Sequence, residues 1–272
     1  MNISFAQYAI SMTIYIVVLL FMVEVMRKNH RFAFVFWILA IFTFPLWPAQ
    51  LDGWFRWAKT LSVIIPTALL VGTGRIANYE NLKGKWNFFK KDWLLWALYG
   101  VLFLNIAEAT LKDFATANYA NAIVGVILCV TIPLVKAKGY KKPKWEFSLK
   151  KPGDLLAFTS PMWNFVYTTW NLAFVFGENA GYFASSFCIL IAAELYPIIK
   201  KRPELYVTAR VYTLAFHILI RSTYDIFTPV MDSSSWANPT ALYYWGIINL
   251  AIGIPYLGYW MYKVYQRRAA VN

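Results

Sequence analysis

The sequence is poor in charged residues, and above all in acidic ones. Only 14% of its 272 residues are charged, and aspartate and glutamate together number 13. Soluble proteins average about 25% charged residues, so neither a disordered chain nor an ordinary soluble enzyme fits. Two cysteines and two histidines are too few for a disulfide scaffold or a three-histidine zinc centre. We therefore expect no metal site and no cofactor.

Apolar residues make up 60% of the chain and occur in long runs. A helix of about 20 apolar residues crosses the hydrocarbon core of a bilayer. The runs predict an all-α polytopic transmembrane helix bundle that forms a single domain over residues 1–272. The nine predicted spans are 4–26, 32–51, 57–76, 92–112, 116–135, 159–177, 180–199, 205–225 and 238–262.

The basic residues predict the orientation of these spans. Of the 26 lysines and arginines, 21 fall in the odd-numbered loops and the C-terminal tail, and three fall in the even-numbered loops. Because cytoplasmic loops carry the excess of lysine and arginine, we expect the N-terminus outside the cell membrane and the C-terminus inside. The predicted cytoplasmic loops lie near 26–31, 77–91, 136–158 and 200–204.

The loop 136–158 is the longest polar stretch and is rich in lysine. We expect it to lie on the anionic inner leaflet of the lipid bilayer, with docking of a protein partner as the alternative. The net charge of +13 comes from basic clusters between apolar runs, which favours lipid over nucleic acid as the partner. The sequence leaves open whether the chain forms a homo-oligomer.

Polar residues inside the spans are the most informative ones for function. A charged group in the bilayer costs about 2.5–3.5 kcal/mol on insertion scales, so such groups are rare and usually functional. Several share one helical face, such as Arg210, His217 and Arg221 in the eighth span. We predict that these groups line a polar cavity that serves as a solute pathway. The predicted lining residues are Asn105, Glu108, Asn164, Asn171, Glu194, Arg210, His217, Arg221 and Asn249.

Depth in the membrane suggests partners for the charged groups. Glu194 and Arg210 fall in the inner third, while Glu108 and Arg221 fall in the outer half. We therefore predict two ion pairs, Glu194–Arg210 and Glu108–Arg221, with His217 between them. The alternative is that these groups only fasten helices together through hydrogen bonds.

The sequence contains no established catalytic signature. Neither the zinc-protease motif His-Glu-x-x-His nor a nucleophile elbow or phosphate-binding loop occurs. Gly72-Thr73-Gly74 is followed by Arg75 rather than by aspartate, so the intramembrane aspartyl protease signature is incomplete. No lysine lies in the middle of a span, which excludes a retinal Schiff base.

Two short stretches resemble a known group of proteins. Residues 104–109, Leu-Asn-Ile-Ala-Glu-Ala, and 167–171, Tyr-Thr-Thr-Trp-Asn, are similar to segments of an uncharacterised family of bacterial multi-pass membrane proteins. The resemblance covers two spans. It implies a bacterial source, and it implies no catalytic activity because the family has none assigned.

These observations favour an integral membrane transporter or channel for a small polar or anionic solute. Arg210 and Arg221 would attract an anion, and His217 would suit proton coupling because its unperturbed pKa is near 6.5. One alternative is a membrane-embedded enzyme that acts on a lipid or amphipathic substrate, with His217 as general base. The other is a sensor or scaffold without catalytic activity.

Overall fold

The computed structural model describes residues 3–136 and 142–269, and it is helical over most of this length. Lys138 and Lys141 of the predicted basic loop lie outside the described residues. The helices are α1 Phe5–Lys28, α2 His30–Ile41, α3 Gly53–Pro66, α4 Thr73–Tyr79, α5 Trp93–Ala115, α6 Tyr119–Thr131, α7 Pro161–Glu178, α8 Phe183–Lys200, α9 Tyr206–Thr223, α10 Phe227–Met231 and α11 Pro239–Ala269.

Shorter elements connect these helices. A π-helical turn, Thr67–Gly72, joins α3 to α4, and a 3₁₀ helix, Phe44–Ala49, follows α2. Two short strands, β1 Trp145–Phe147 and β2 Leu155–Ala157, form an antiparallel hairpin in which Trp145 pairs with Ala157.

Five helices within the described residues are long and apolar enough to cross a membrane. They are Phe5–Lys28, Arg56–Tyr79, Trp93–Ala115, Ala180–Lys200 and Pro239–Arg267. The chain is therefore an all-helical protein with several candidate membrane-spanning helices. Many of its exposed apolar side chains lie on the outer faces of α1, α5 and α11, where lipid would cover them.

Two of the predicted spans are shorter than expected. The helix predicted over 32–51 ends at Ile41, because Pro45 and Pro48 lack the N–H groups that would continue it. The helix predicted over 116–135 covers only Tyr119–Thr131. Helices of 12 and 13 residues are about 20 Å long or less, which is below the thickness of the hydrocarbon core.

Helix α9 lies at the centre of the bundle. It packs against α1, α3 and α8, and none of its residues, all of which the structure describes, is exposed. The polar residues of the predicted eighth span are therefore kept away from lipid by their neighbours. This explains how a helix with two arginines and a histidine fits into an apolar bundle.

Part of the predicted lipid-facing loop 136–158 is buried instead. Trp145, Leu155 and Ala157 of the hairpin are inaccessible to solvent. The buried carboxylate of Asp154 ties the hairpin to the bundle, because it forms ion pairs with Arg27 at 2.9 Å and with Arg202 at 3.4 Å. These residues of the loop therefore pack into the bundle, and contact of its exposed part with the lipid surface stays a prediction.

Arg75, at the end of the predicted span 57–76, is also buried. It belongs to α4, and its guanidinium group donates hydrogen bonds to the backbone oxygens of Met26 and Gly153 and to the hydroxyl of Tyr212, each at 2.8 Å. It thus joins α1, the hairpin and α9. An arginine with this many partners is a structural residue of the core.

Candidate functional site

A cavity of ≈ 360 Å³ lies inside the bundle. Its wall is formed by α3 and the π-helical turn, by α5 from Leu98 to Lys112, by α7 from Trp163 to Glu178, and by α9 from Tyr206 to Ser222. Each of the last three stretches is about 20 Å long, so the cavity follows most of the length of these helices. Its volume is in the range of sites that hold a small organic molecule.

The π-helical turn shapes one side of the cavity. Pro66 ends α3 and cannot donate a backbone hydrogen bond, and the hydroxyl of Thr67 donates to the backbone oxygen of Val63 at 2.7 Å. Pro66, Thr67 and Val71 all line the cavity. Such π-helical turns within α-helices often occur at functional sites.

One end of the cavity is a charged mouth. The carboxylate of Glu178 lies 3.0 Å from the amine of Lys112 and 3.7 Å from that of Lys59. The guanidinium of Arg221 lies 3.6 Å from the ring centre of Tyr182, a cation–π contact. Of these groups, only Arg221 was predicted as a site residue. The sequence feature that could have identified the mouth is the opposite charge of Lys112 and Glu178, which lie at the ends of two predicted spans.

The other end of the cavity is an apolar floor. Trp145 and Leu155 from the hairpin and Trp163 and Tyr206 from the bundle line it, and all four are essentially inaccessible to solvent. The indole nitrogen of Trp145 donates to the backbone oxygen of Pro133 at 2.7 Å, which holds its ring in place. The cavity is closed at this end and charged at the other.

Six of the nine predicted residues line the cavity. They are Asn105, Glu108, Asn171, Arg210, His217 and Arg221. The structure thus brings together residues from α5, α7 and α9 that are far apart in the sequence.

The other three predicted residues lie outside the cavity and are bound by protein groups. Glu194 accepts a hydrogen bond from Thr168 at 2.8 Å. The amide nitrogen of Asn164 donates to the backbone oxygen of Pro203 at 3.2 Å, and that of Asn249 donates to the side-chain oxygen of Asn121 at 2.9 Å. Their prediction as lining residues is wrong, because packing turns them toward neighbouring helices.

Several of the predicted residues inside the cavity carry buried polar atoms without such partners. In the part of the chain that the structure describes, Oε1 of Glu108 and Nε and Nη1 of Arg210 are buried and have no hydrogen-bond partner. The Nδ1 atom of His217 lies 3.2 Å from the hydroxyl of Tyr15, and its Nε2 atom has no partner. Arg210 and His217 are nevertheless buried, at 8% and 3% exposure.

Neither predicted ion pair forms among the described residues. Glu194 binds Thr168 of α7 instead of Arg210. Arg221 contacts Tyr182 at the mouth, and the carboxylate that interacts with it there is Glu178 rather than Glu108. Position along the membrane normal was the only guide to these pairs, and it says nothing about the direction in which each helix face points.

A second buried polar cluster joins α5, α6 and α11 outside the cavity. Asn121 donates a hydrogen bond to Asp113 at 2.7 Å, and Asn249 donates to Asn121 at 2.9 Å. Asn121 also contacts the backbone oxygen of Trp170 at 3.3 Å. The amides satisfy the carboxylate of Asp113, so this cluster fastens helices together.

Comparison of the chain with known protein families, with characterised proteins and with solved structures gave no match. The chemistry of the cavity therefore carries the functional inference. Arg210 offers N–H donors suited to a carboxylate or phosphate, the asparagines offer both donors and acceptors, and Glu108 offers acceptors. No serine or cysteine side chain is hydrogen-bonded to His217 within the described residues, so a nucleophile activated by this histidine is missing.

Proposed function

We propose that the protein is an integral membrane transporter or channel for a small polar or anionic organic solute, and that the cavity is its solute pathway. The observation that carries this proposal is the set of buried polar atoms that line the cavity and have no partner among the described residues, Oε1 of Glu108, Nε and Nη1 of Arg210 and Nε2 of His217. About 90% or more of buried polar groups in proteins are hydrogen-bonded. A cavity that leaves atoms of three such side chains unbound is suited to water and to a solute that binds them.

The charge of the cavity supports a solute with an acidic group. Five basic residues and two acidic residues line it. The basic ones are Arg56, Lys59, Lys112, Arg210 and Arg221, and the acidic ones are Glu108 and Glu178. A cleft with excess charge of one sign raises the local concentration of oppositely charged solutes. The mouth would therefore attract anions toward the buried guanidinium of Arg210.

The predicted topology assigns each end of the cavity to one side of the membrane. With nine crossings and the N-terminus outside, the mouth at Glu178 and Arg221 faces the exterior. The floor, with its hairpin, then faces the cytoplasm. In this arrangement the cavity is open outward and closed inward by Trp145 and Leu155. The distribution of lysine and arginine supports this orientation.

Proton coupling through His217 belongs to the same proposal. Its Nε2 atom has no partner, and the residue lines the cavity between Arg210 and Arg221 on one face of α9. A histidine in that position is able to exchange a proton with water or solute.

Cysteine reactivity on both sides of the membrane tests the proposal. Leu214→Cys places a thiol in the middle of the cavity wall, in a background in which Cys129 and Cys188 are replaced by alanine. Leu104→Cys is the matched control, because Leu104 is 66% exposed on the outer apolar surface of α5. A small membrane-impermeant thiol reagent is then applied to sealed vesicles of each orientation.

A transporter or channel requires Leu214→Cys to react from both faces of the membrane, while Leu104→Cys stays unreactive in lipid. Reaction from one face only indicates a binding pocket, as in a sensor or enzyme, and contradicts transport. Absence of reaction from either face indicates a closed structural core and removes the pathway altogether.

A further inference from the structure

One negatively charged and one positively charged side chain in the cavity both have buried atoms without a partner among the described residues. Oε1 of Glu108 on α5 and Nε and Nη1 of Arg210 on α9 are buried and make no hydrogen bond. They are not paired with each other within the described residues either. Other carboxylates of the protein do hold cations, such as Asp154 with Arg27 at 2.9 Å and Glu178 with Lys112 at 3.0 Å.

Buried charges without partners are costly, and here a negative one and a positive one face the same space. Among the residues that the structure describes, these are the only two acidic or permanently basic side chains that line the cavity below the mouth. A ligand with one negative and one positive group would satisfy both. A simple anion would satisfy Arg210 and leave Glu108 unpaired.

The rise of the helices gives the separation between the backbone positions of Glu108 and Arg210 along the length of the cavity. Tyr99 of α5 contacts Trp145 of the floor, with ring centres 6.2 Å apart, and Tyr206 of α9 is itself a floor residue. Glu108 is nine residues above Tyr99 and Arg210 is four residues above Tyr206. A rise of about 1.5 Å per residue then places Glu108 roughly 8 Å above Arg210.

A count from the mouth gives a similar value. Glu108 is four residues below Lys112, and Arg210 is eleven residues below Arg221. Lys112 and Arg221 are at a similar level because Glu178 interacts with both. The same rise per residue gives a separation of about 10 Å.

The wall between the two charges fits a chain that is partly apolar and partly amide-like. Leu102, Val211 and Leu214 supply apolar surface, and Asn105 and Asn171 supply side-chain amide groups. A side-chain amide is both a donor and an acceptor, so each can bind a peptide group or a hydroxyl of a ligand.

We propose that the solute is an elongated zwitterion, with an acidic group bound to Arg210 and an ammonium group bound to Glu108. This rests on the proposed solute pathway and names its substrate class. The required spacing of about 10 Å equals the length of an extended tripeptide, since each residue spans at most about 3.3–3.6 Å. An unbranched ω-amino acid of similar length would carry the same two groups at its two ends.

Trialanine and its two blocked forms are the probes for this class. N-acetyl-trialanine lacks the ammonium group, and trialanine amide lacks the carboxylate. Isothermal titration calorimetry with the purified full chain should give at least about tenfold weaker binding for either blocked form, as expected for loss of a charge-assisted hydrogen bond. Dialanine should also bind more weakly, and ω-aminooctanoic acid should bind like trialanine.

Variants assign each end of the ligand to its residue. Glu108→Gln should weaken binding of trialanine and leave N-acetyl-trialanine unchanged. Arg210→Gln should weaken trialanine and leave trialanine amide unchanged. Glu194→Gln removes a partly buried carboxylate outside the cavity and should change none of the affinities. A merely structural role of Glu108 or Arg210 would not produce this dependence on the blocked end.

Equal affinity for trialanine and N-acetyl-trialanine overturns the zwitterion, and so does equal affinity for dialanine and trialanine. If no peptide binds to a protein whose Leu214→Cys variant reacts from both faces, the pathway stands and the substrate class is wrong. If that variant is unreactive, the proposed function itself fails.

Discussion

Two buried arginines differ in what surrounds their guanidinium groups. Arg75 donates hydrogen bonds to backbone oxygens of Met26 and Gly153 and to the hydroxyl of Tyr212. The guanidinium of Arg210 has no protein partner among the described residues, although the residue is only 8% exposed. Arg75 therefore stabilises the fold, whereas hydrogen-bond donors of Arg210 remain available to a ligand.

Replacing each of them by methionine should have opposite effects on stability. Arg75→Met leaves several buried backbone oxygens unpaired and should lower the free energy of unfolding by about 3 kcal/mol or more, or prevent folding. Arg210→Met removes an uncompensated charge and should raise it by about 1 kcal/mol in unliganded protein. Unfolding of each variant in detergent micelles measures both changes in the free energy of unfolding. Equal destabilisation by the two would mean that protein groups hold Arg210 and would weaken the case for a ligand.

A surface cluster at the end of α4 should add a pH-dependent contribution to stability. The hydrogen bond from Arg31, at 2.6 Å, is the main cause that lowers the pKa of Glu80 to about 2, and His30 contributes at 2.7 Å. The ordinary pKa is 4.5, so this contribution is fully present above about pH 4.5 and is lost as the pH falls toward 2. It is small because Arg31 is exposed and screened by solvent.

Unfolding curves of the wild type and Glu80→Gln across this range test the assignment. The difference in stability between them should shrink on acidification below about pH 4.5, since the wild-type carboxylate becomes protonated. It should also be smaller at high salt. If the difference in stability between the wild type and Glu80→Gln stays constant down to pH 2, the ionised carboxylate adds nothing to stability.

At the scale of elements, α5 and α6 are in close contact at a glycine. A Cβ atom added to Gly125 would lie 2.1 Å from the hydroxyl oxygen of Thr110 and 3.1 Å from the ring of Trp170. Small residues allow such contacts between helices in membranes. The contact positions α5, which carries Asn105 and Glu108, against α6.

Gly125→Ala should therefore lower the free energy of unfolding by about 1–3 kcal/mol, because the helices must move apart. Gly100→Ala in α5 is the control, since nothing lies within 4 Å of its added Cβ. Alanine there should be neutral or raise stability by up to about 1 kcal/mol through its higher helix propensity. Comparable losses in both variants would show that helix propensity, and not the contact, explains the result.

At the scale of the whole molecule, the predicted topology places the hairpin and the link before α11 on opposite sides of the membrane. Lys150 lies in the hairpin connection and Ser235 lies between α10 and α11, and both are exposed. In a background without native cysteines, Lys150→Cys should react with an impermeant thiol reagent from the cytoplasmic side only. Ser235→Cys should react from the exterior only. Labelling of both from the same side would exclude the nine-crossing arrangement.

The amino-acid sequence by itself determined where most of the long helices lie. Apolar runs such as those of α1, α5 and α11 form helices close to the predicted bounds. A backbone in an apolar medium must satisfy its hydrogen bonds within the segment, and run length and proline position are local properties. The sequence also located six of the nine predicted cavity residues, because spacing along one helix fixes which residues share a face.

Only the tertiary structure decided which faces meet. It turned Glu194 toward Thr168, placed Arg75 among backbone oxygens and brought Trp145 of the hairpin to the cavity floor. The rotation of each helix about its axis depends on packing with several neighbours at once, and no local pattern contains that information. For the same reason the sequence paired Glu108 with Arg221, whereas the folded bundle leaves Glu108 and Arg210 unpaired in one cavity.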